Sequence, residues 1–221
     1  MESLVNLLYA SMPLLLQGAI MSIGLWLSAA LISLIAGTLF GIVRSGRVRI
    51  AILSPLSDVV TFIGRGVPFY VQLLITYFVL PALLKIDLPV FAIAAISLGF
   101  CSASYASQIV RGAINAVPAG QWEAAQVLGF SRWQTVRFII LPQIVPSILP
   151  ALVGELDQVL KSTSIFAAIG VLELTRAGMN IIARQMNPIP IYLSIAVIYL
   201  AISSLLNLIG YYFERRAKMM T

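Results

Sequence analysis

No Asp, Glu, Lys or Arg interrupts the apolar stretch from Pro13 to Val43. About 20 apolar residues cross the hydrocarbon core of a bilayer as a helix, so a run of this length takes lipid as its solvent. Composition extends that conclusion to the whole chain. Of its 221 residues 60% are apolar and 10% charged, and the mean hydropathy is +1.00. A soluble domain carries about 25% charged residues. The only early charge is Glu2, and no basic segment precedes the run. A signal core is about 7–15 residues long and follows basic residues, so Pro13–Val43 reads as a retained first span.

The distribution of apolar residues, turn residues and charges predicts an all-α fold. It is a polytopic bundle of five transmembrane helices, one domain over residues 1–221. The first span covers Leu14–Val43 and ends at the basic turn Arg44-Ser45-Gly46-Arg47-Val48-Arg49. The second, Ile50–Leu84, contains Pro55, Gly64, Gly66 and Pro68, which predict a broken or kinked helix. Broken backbone at membrane depth is tolerated only against protein or a wet cavity. After the turn Lys85-Ile86-Asp87-Leu88-Pro89 comes the third span, Val90–Ala113. An amphipathic stretch, Ile114–Leu141, separates it from the fourth, Pro146–Ile169. A semi-polar loop from Gly170 to Pro188 leads to the fifth, Ile189–Phe213, and then to a basic tail.

Nine of the fourteen basic residues fall on one side of these spans: Arg44, Arg47, Arg49, Arg111, Arg132, Arg137, Arg215, Arg216 and Lys218. Basic loops stay cytoplasmic. The N-terminus is therefore expected outside and the C-terminus inside, consistent with an odd number of spans. No clear internal repeat supports a transporter built from inverted halves.

The residue inventory excludes most catalysis. There is no histidine, which removes imidazole acid–base chemistry and most zinc sites. A Ser–His intramembrane protease is excluded with it, and the Gly-x-Gly-Asp run of an aspartyl one does not occur. The single cysteine, Cys101, lies in an apolar run and reads as a small core residue. The nearest approach to a phosphate loop, Gly154 to Leu160-Lys161-Ser162, lacks the glycine before the lysine that lets backbone N–H groups wrap a phosphate. No catalytic residue, metal site or cofactor is expected in this chain.

The strongest local signal lies in residues 114–142. Pro118 suits a helix's first turn, and Trp122, Ala124, Ala125 and Leu128 are placed on one stripe. Glu123 is placed early, where a helix dipole favours an acid. Gly129 is a left-handed terminator. Ser131 with Gln134 has capping-box spacing for a second helix, and Pro142 follows its apolar end. The pattern predicts a helix–turn–helix. An amphipathic hairpin lying on the membrane surface fits the same pattern.

The spacing Glu123-Ala124-Ala125, three residues, Gly129, nine residues, Ile139, one residue, Leu141-Pro142 resembles the cytoplasmic coupling loop, or EAA motif, of bacterial ABC importer permeases. Ser104-Tyr105, Ile109 to Ile114, Val117 to Gln121, Arg65-Gly66-Val67-Pro68, Val71-Gln72, Leu160 to Ser164 and Ile169-Gly170 resemble the polar amino acid branch of that family. That branch serves histidine, lysine, arginine, glutamine, glutamate and opines. Val67 stands where Thr is usual, and Ser162 where an acidic residue or Asn is usual. The resemblance implies two permease copies, identical or related, forming a pathway between them. It implies two ATPase subunits that bind ATP and Mg, each accepting one loop. Glu123, Ala124, Ala125, Gly129, Leu141 and Pro142 would couple to them. A periplasmic or lipid-anchored binding protein would deliver the amino acid in the bacterial inner membrane, with no nucleic acid involved. An ion-coupled transporter or channel would need no such hairpin.

Charges inside the spans cost about 2.5–3.5 kcal/mol each on insertion scales, and are candidate functional groups. Asp157 and Lys161, four apart with the acid first, form a helical ion pair. Glu155, two residues earlier, points almost to the opposite face, with Gln158 and Ser162 beside it. Asp58 and Arg65 share a helical face about 10 Å apart and can pair. Arg65 also precedes a helix start at Pro68, where it could receive a carboxylate. The candidate substrate-binding residues are Glu155, Asp58, Arg65, Gln72 and Gln108. With two acids against one Arg65, a cationic amino acid (arginine, lysine or histidine) is expected first. Glutamine or glutamate is the alternative.

Overall fold

The computed structural model describes residues 2–48 and 50–218, and these form helices and connecting turns without a strand. Arg49 of the basic turn lies outside the described residues. The first helix, α1 (Glu2–Val43), starts well before the expected Leu14 and runs through Pro13. Leu7 and Leu14, on either side of that proline, both pack on a buried cluster of Leu15, Ala19, Leu174, Ile181, Ile191 and Ile195. Burial of both outweighs the one backbone hydrogen bond that proline removes.

The expected break in the second span is present. Helix α2 (Leu53–Gly66) ends at Val67, which is extended at φ −94° and ψ 132°. Proline disfavours the helical region for the residue before it. After Pro68 the chain re-enters helix as α3 (Phe69–Leu74), a π turn (Ile75–Val79) and α4 (Leu80–Leu84). The two arms meet at 109°. Pro55 interrupts nothing, because it lies in the first turn of α2, where its missing N–H has no intrahelical partner to lose.

Next come α5 (Val90–Ala116), α6 (Ala119–Val127) and α7 (Arg132–Thr135). A second π turn (Val136–Ile140) leads into α8 (Leu141–Ser162), which closes in a 3-10 turn (Thr163–Ile169). The chain ends in α9 (Leu174–Gln185) and α10 (Pro188–Lys218). The expected stop before Pro142 does not occur, and the second arm of the hairpin is the first part of one helical stretch, Arg132–Ile169. The reason is the π turn. A proline cannot donate to the carbonyl four residues back, and its ring crowds that carbonyl. One widened turn just before it relieves both problems. The same arrangement recurs where the π turn Ile75–Val79 precedes Pro81.

Four stretches are long and apolar enough to cross a membrane: Asn6–Val43, Val90–Ala116, Arg132–Ile169 and Pro188–Arg216. The bent pair Leu53–Gly66 and Phe69–Leu84 makes five if it counts as one span. Helix α5 is central, with 67% of its most apolar window buried inside the chain, and α10 is peripheral with 11%. Helix α1 lies close along α5. A Cβ at Gly37 would come within 2.6 Å of Ala106 Cβ, and one at Gly41 within 2.6 Å of Val110 Cβ. Beneath the bent pair, Leu25, Leu73, Leu98, Val159 and Phe166 form a buried core.

Candidate functional site

The break between α2 and α3 opens a cavity of about 470 Å³. Its walls come from three elements. Arg65 and Pro68 stand at the break, Ser102 and Tyr105 on α5, and Glu155, Gln158 and Ser162 on α8. Glu155, Gln158 and Ser162, which share one face of α8, line this cavity together. Glu155 Oε1 accepts from Ser102 Oγ at 2.7 Å, and Ser102 Oγ lies 2.8 Å from Ser33 Oγ on α1. Ser33 and Ser102 are both buried, so this chain of hydroxyls fixes the carboxylate from behind.

Arg65 Nε donates to the Thr61 carbonyl at 3.1 Å. The Tyr105 hydroxyl donates to the Arg65 carbonyl at 3.4 Å. Neither Arg65 nor Glu155 forms an ion pair among the described residues. The cavity thus presents one guanidinium and one carboxylate with neutral hydrogen-bonding groups around them. Among the described residues, no three His, Cys, Asp or Glu side chains are grouped to hold a metal ion.

Three candidates stand elsewhere. Asp58 does not face Arg65. It accepts from Arg44 Nε at 2.7 Å, because the turn after α1 folds Arg44 back against α2. Gln72 does not line the cavity. Its Nε2 donates to the carbonyls of Gly64 (2.9 Å) and Val67 (2.7 Å), which the break leaves without helical donors. Gln108, half-buried on α5, lies outside the cavity lining. Lys161 and Asp157 pair at 2.6 Å as expected, and Ser203 donates to the same carboxylate.

The hairpin has the expected punctuation. Gly129 has φ +81°, and Ser131 and Gln134 complete a capping box. The expected stripe is corrected. Ala125 is buried and Trp122 packs inward, whereas Ala124 and Leu128 are exposed, because they lie on the far side of a 3.6-residue turn. Glu123 is exposed and sits beyond the first turn of α6, where the helix dipole falls off. Leu141 packs against the Val136–Ile140–Ile144 cluster, and Pro142 is exposed inside a continuing helix. The tip, Val127 to Phe130, is exposed and largely apolar.

One buried acid was not singled out from the sequence. Glu173, in the semi-polar loop, is 0% exposed. It accepts from the backbone N–H of Thr175 and of Arg176 at 2.8 and 2.7 Å, and from the Tyr199 hydroxyl at 3.0 Å. Burial pushes its carboxyl above the usual glutamate value, and these hydrogen bonds offset part of the rise. The available signal was an N-cap acid before the apolar period Leu174, Ala177, Gly178, Ile181.

Residues 33–219 match the family described as "Binding-protein-dependent transport system inner membrane component". The chain is 36% identical over 216 residues to the glutamine transport system permease protein GlnP of Escherichia coli K12, covering 96% of this chain and 97% of that one. It is 32% identical over 206 residues to the arginine transport system permease protein ArtQ of Bacillus subtilis 168, covering 93% of each. The fold superposes with TM-score 0.83 and 30% identity on a chain of an amino acid ABC transporter crystallised with histidines, over 95% of this chain and 96% of that chain. The hairpin motif, the apolar bundle and these comparisons agree: the chain belongs to the binding-protein-dependent transport system inner membrane components, the multi-pass permeases of ABC importers.

Proposed function

We propose that this chain forms half of a transmembrane pathway for polar amino acids, as a dimer with a second permease copy, identical or related. Two ATPase subunits bind and hydrolyse ATP with Mg, each accepting one hairpin through Glu123, Ala124, Ala125, Gly129, Leu141 and Pro142. A periplasmic or lipid-anchored binding protein delivers the substrate. The basic end, with the hairpin, is cytoplasmic and the N-terminus external, in a bacterial inner membrane. Alternating access then switches the bundle between two packings.

The observation that carries the substrate class is the presence of Arg65 and Glu155 on the walls of one cavity. A guanidinium receives the α-carboxylate and a carboxylate receives the α-ammonium, as any zwitterion requires. The surplus of acids expected from the sequence rested on Asp58, and Arg44 neutralises it. One cation and one anion suit a side chain without net charge, so glutamine is the first reading, in line with the 36% identity to a glutamine permease. A cationic amino acid is the second, favoured by the 32% identity to an arginine permease. It needs a further acid, supplied by the second copy.

The test is ATP-dependent uptake of labelled glutamine and labelled arginine into vesicles holding the chain with its ATPase and binding protein. Glutamine uptake untouched by excess arginine supports the first reading. Arginine uptake blocked only by cationic competitors supports the second. Absence of ATP-driven uptake of any amino acid by the intact complex overturns the substrate class.

A further inference from the structure

A second polar cavity, of about 420 Å³, lies between the turn after α1 and the hairpin, away from the break. Arg47 enters it from the turn, Trp122 and Gln126 from α6, and Ser131, Arg132 and Thr135 from the start of the second arm. None of its lining residues is acidic. Neither arginine forms an ion pair among the described residues. The guanidinium of Arg47 lies 5.9 Å from the Trp122 ring centroid, which holds the cation at the rim. The hydroxyl of Ser131 accepts from the Gln134 N–H, so its own O–H remains available to donate.

We propose that this cavity binds a phosphate oxyanion. Two guanidiniums, the Gln126 amide and the Ser131 hydroxyl supply donors, and none of the lining side chains carries a negative charge to repel an anion. A phosphate has enough acceptor oxygens to engage several of these donors at once, and guanidiniums match it bidentately. The bilayer is the nearer source of phosphate. Ile52, Leu53 and Leu56 beside the turn, and Trp133 and Phe138 on the second arm, are exposed apolar side chains, placed to meet lipid. An anionic phospholipid headgroup supplies the required chemistry, and so does free phosphate. The proposal is independent of which amino acid the first cavity takes.

The experiment uses the assembled importer in detergent, with intrinsic tryptophan fluorescence as the readout. Short-chain phosphatidylglycerol, short-chain phosphatidylcholine and inorganic phosphate are titrated separately. A saturable change with phosphatidylglycerol alone supports the proposal with lipid as the source. Equal changes with inorganic phosphate support it with a soluble source. The change weakens as ionic strength rises, since salt screens the arginines. In the double variant Arg47→Gln/Arg132→Gln, checked for unchanged assembly by size-exclusion chromatography, the apparent affinity falls at least tenfold. No saturable change with either anion, an equal response to phosphatidylcholine, or an unaltered response in the double variant overturns it.

Discussion

Arg44 Nε donates to Asp58 Oδ1 at 2.7 Å, joining the end of α1 to the first half of α2. The arginine side chain is 3% exposed and the carboxylate 46%, and Arg44 Nη1 also donates to Ser107 Oγ on α5 at 2.8 Å. The pair ties three helices together beside the hairpin. Asp58→Asn leaves a buried guanidinium with weakened compensation. Removing one partner of a fully buried pair costs about 3–5 kcal/mol, and the half-exposed carboxylate brings the expected loss to about 1–3 kcal/mol. Thermal unfolding of the purified variant measures it. A Ser107→Ala variant should lose less.

Glu155→Gln should raise the apparent KM for uptake about tenfold. A hydrogen bond to a charged group is worth about 1.5–3 kcal/mol, and 1.4 kcal/mol is tenfold. Ser102→Ala, which removes the hydroxyl orienting that carboxylate, should raise it by a few-fold. Uptake kinetics in proteoliposomes decide the matter. A Glu155→Gln variant with wild-type KM means the carboxylate does not meet the substrate.

Gly129→Val should disturb the hairpin. A left-handed residue with a side chain costs about 1–2 kcal/mol, more for a β-branched one, and φ is +81° at this position. Gly129→Asn should be milder, because Asn tolerates that region. The ratio of substrate imported to ATP hydrolysed is the readout. The valine variant should waste ATP relative to the wild type, and an unchanged ratio would show that the turn geometry does not matter to coupling.

Glu173 predicts a pH dependence with a definite sign. Its carboxyl is pushed up by burial, so the protonated form is favoured in the folded state. The stability it contributes is complete below the ordinary glutamate value of about 4.3. It is lost as pH rises through the raised folded value. The Glu173→Gln variant cannot ionise, and its single carbonyl oxygen keeps an acceptor for one of the Thr175 and Arg176 N–H groups, which the two carboxyl oxygens receive separately. Melting temperature measured against pH should fall through this window in the wild type and lack that component in the variant.

What could be read from the sequence was local. The break at Gly66–Pro68, the left-handed Gly129, the Ser131–Gln134 cap and the Asp157–Lys161 pair each depend on residues within a few positions of one another. What could not be read depends on which helices meet. Arg44 reaches Asp58 only because the turn after α1 brings α2 alongside it. Gln72 turns away from the cavity because the break exposes two carbonyls nearer to it. Pro142 reads as a stop in the sequence because a π turn, which lets the helix continue through it, carries no sequence period of its own. Glu173 was passed over because its burial comes from α1 and α10, distant in sequence.

The π turn Val136–Ile140 carries one residue more than an α turn would. Each residue of an α-helix turns the following side chains by about 100°. Winding the same residues at ordinary α pitch, with none removed, would turn everything beyond them by roughly that angle. The whole of α8 would then be re-phased against the hairpin, Glu155 included, about four turns beyond Ile140. The widened turn therefore sets the angular phase between the hairpin and the cavity wall that carries Glu155.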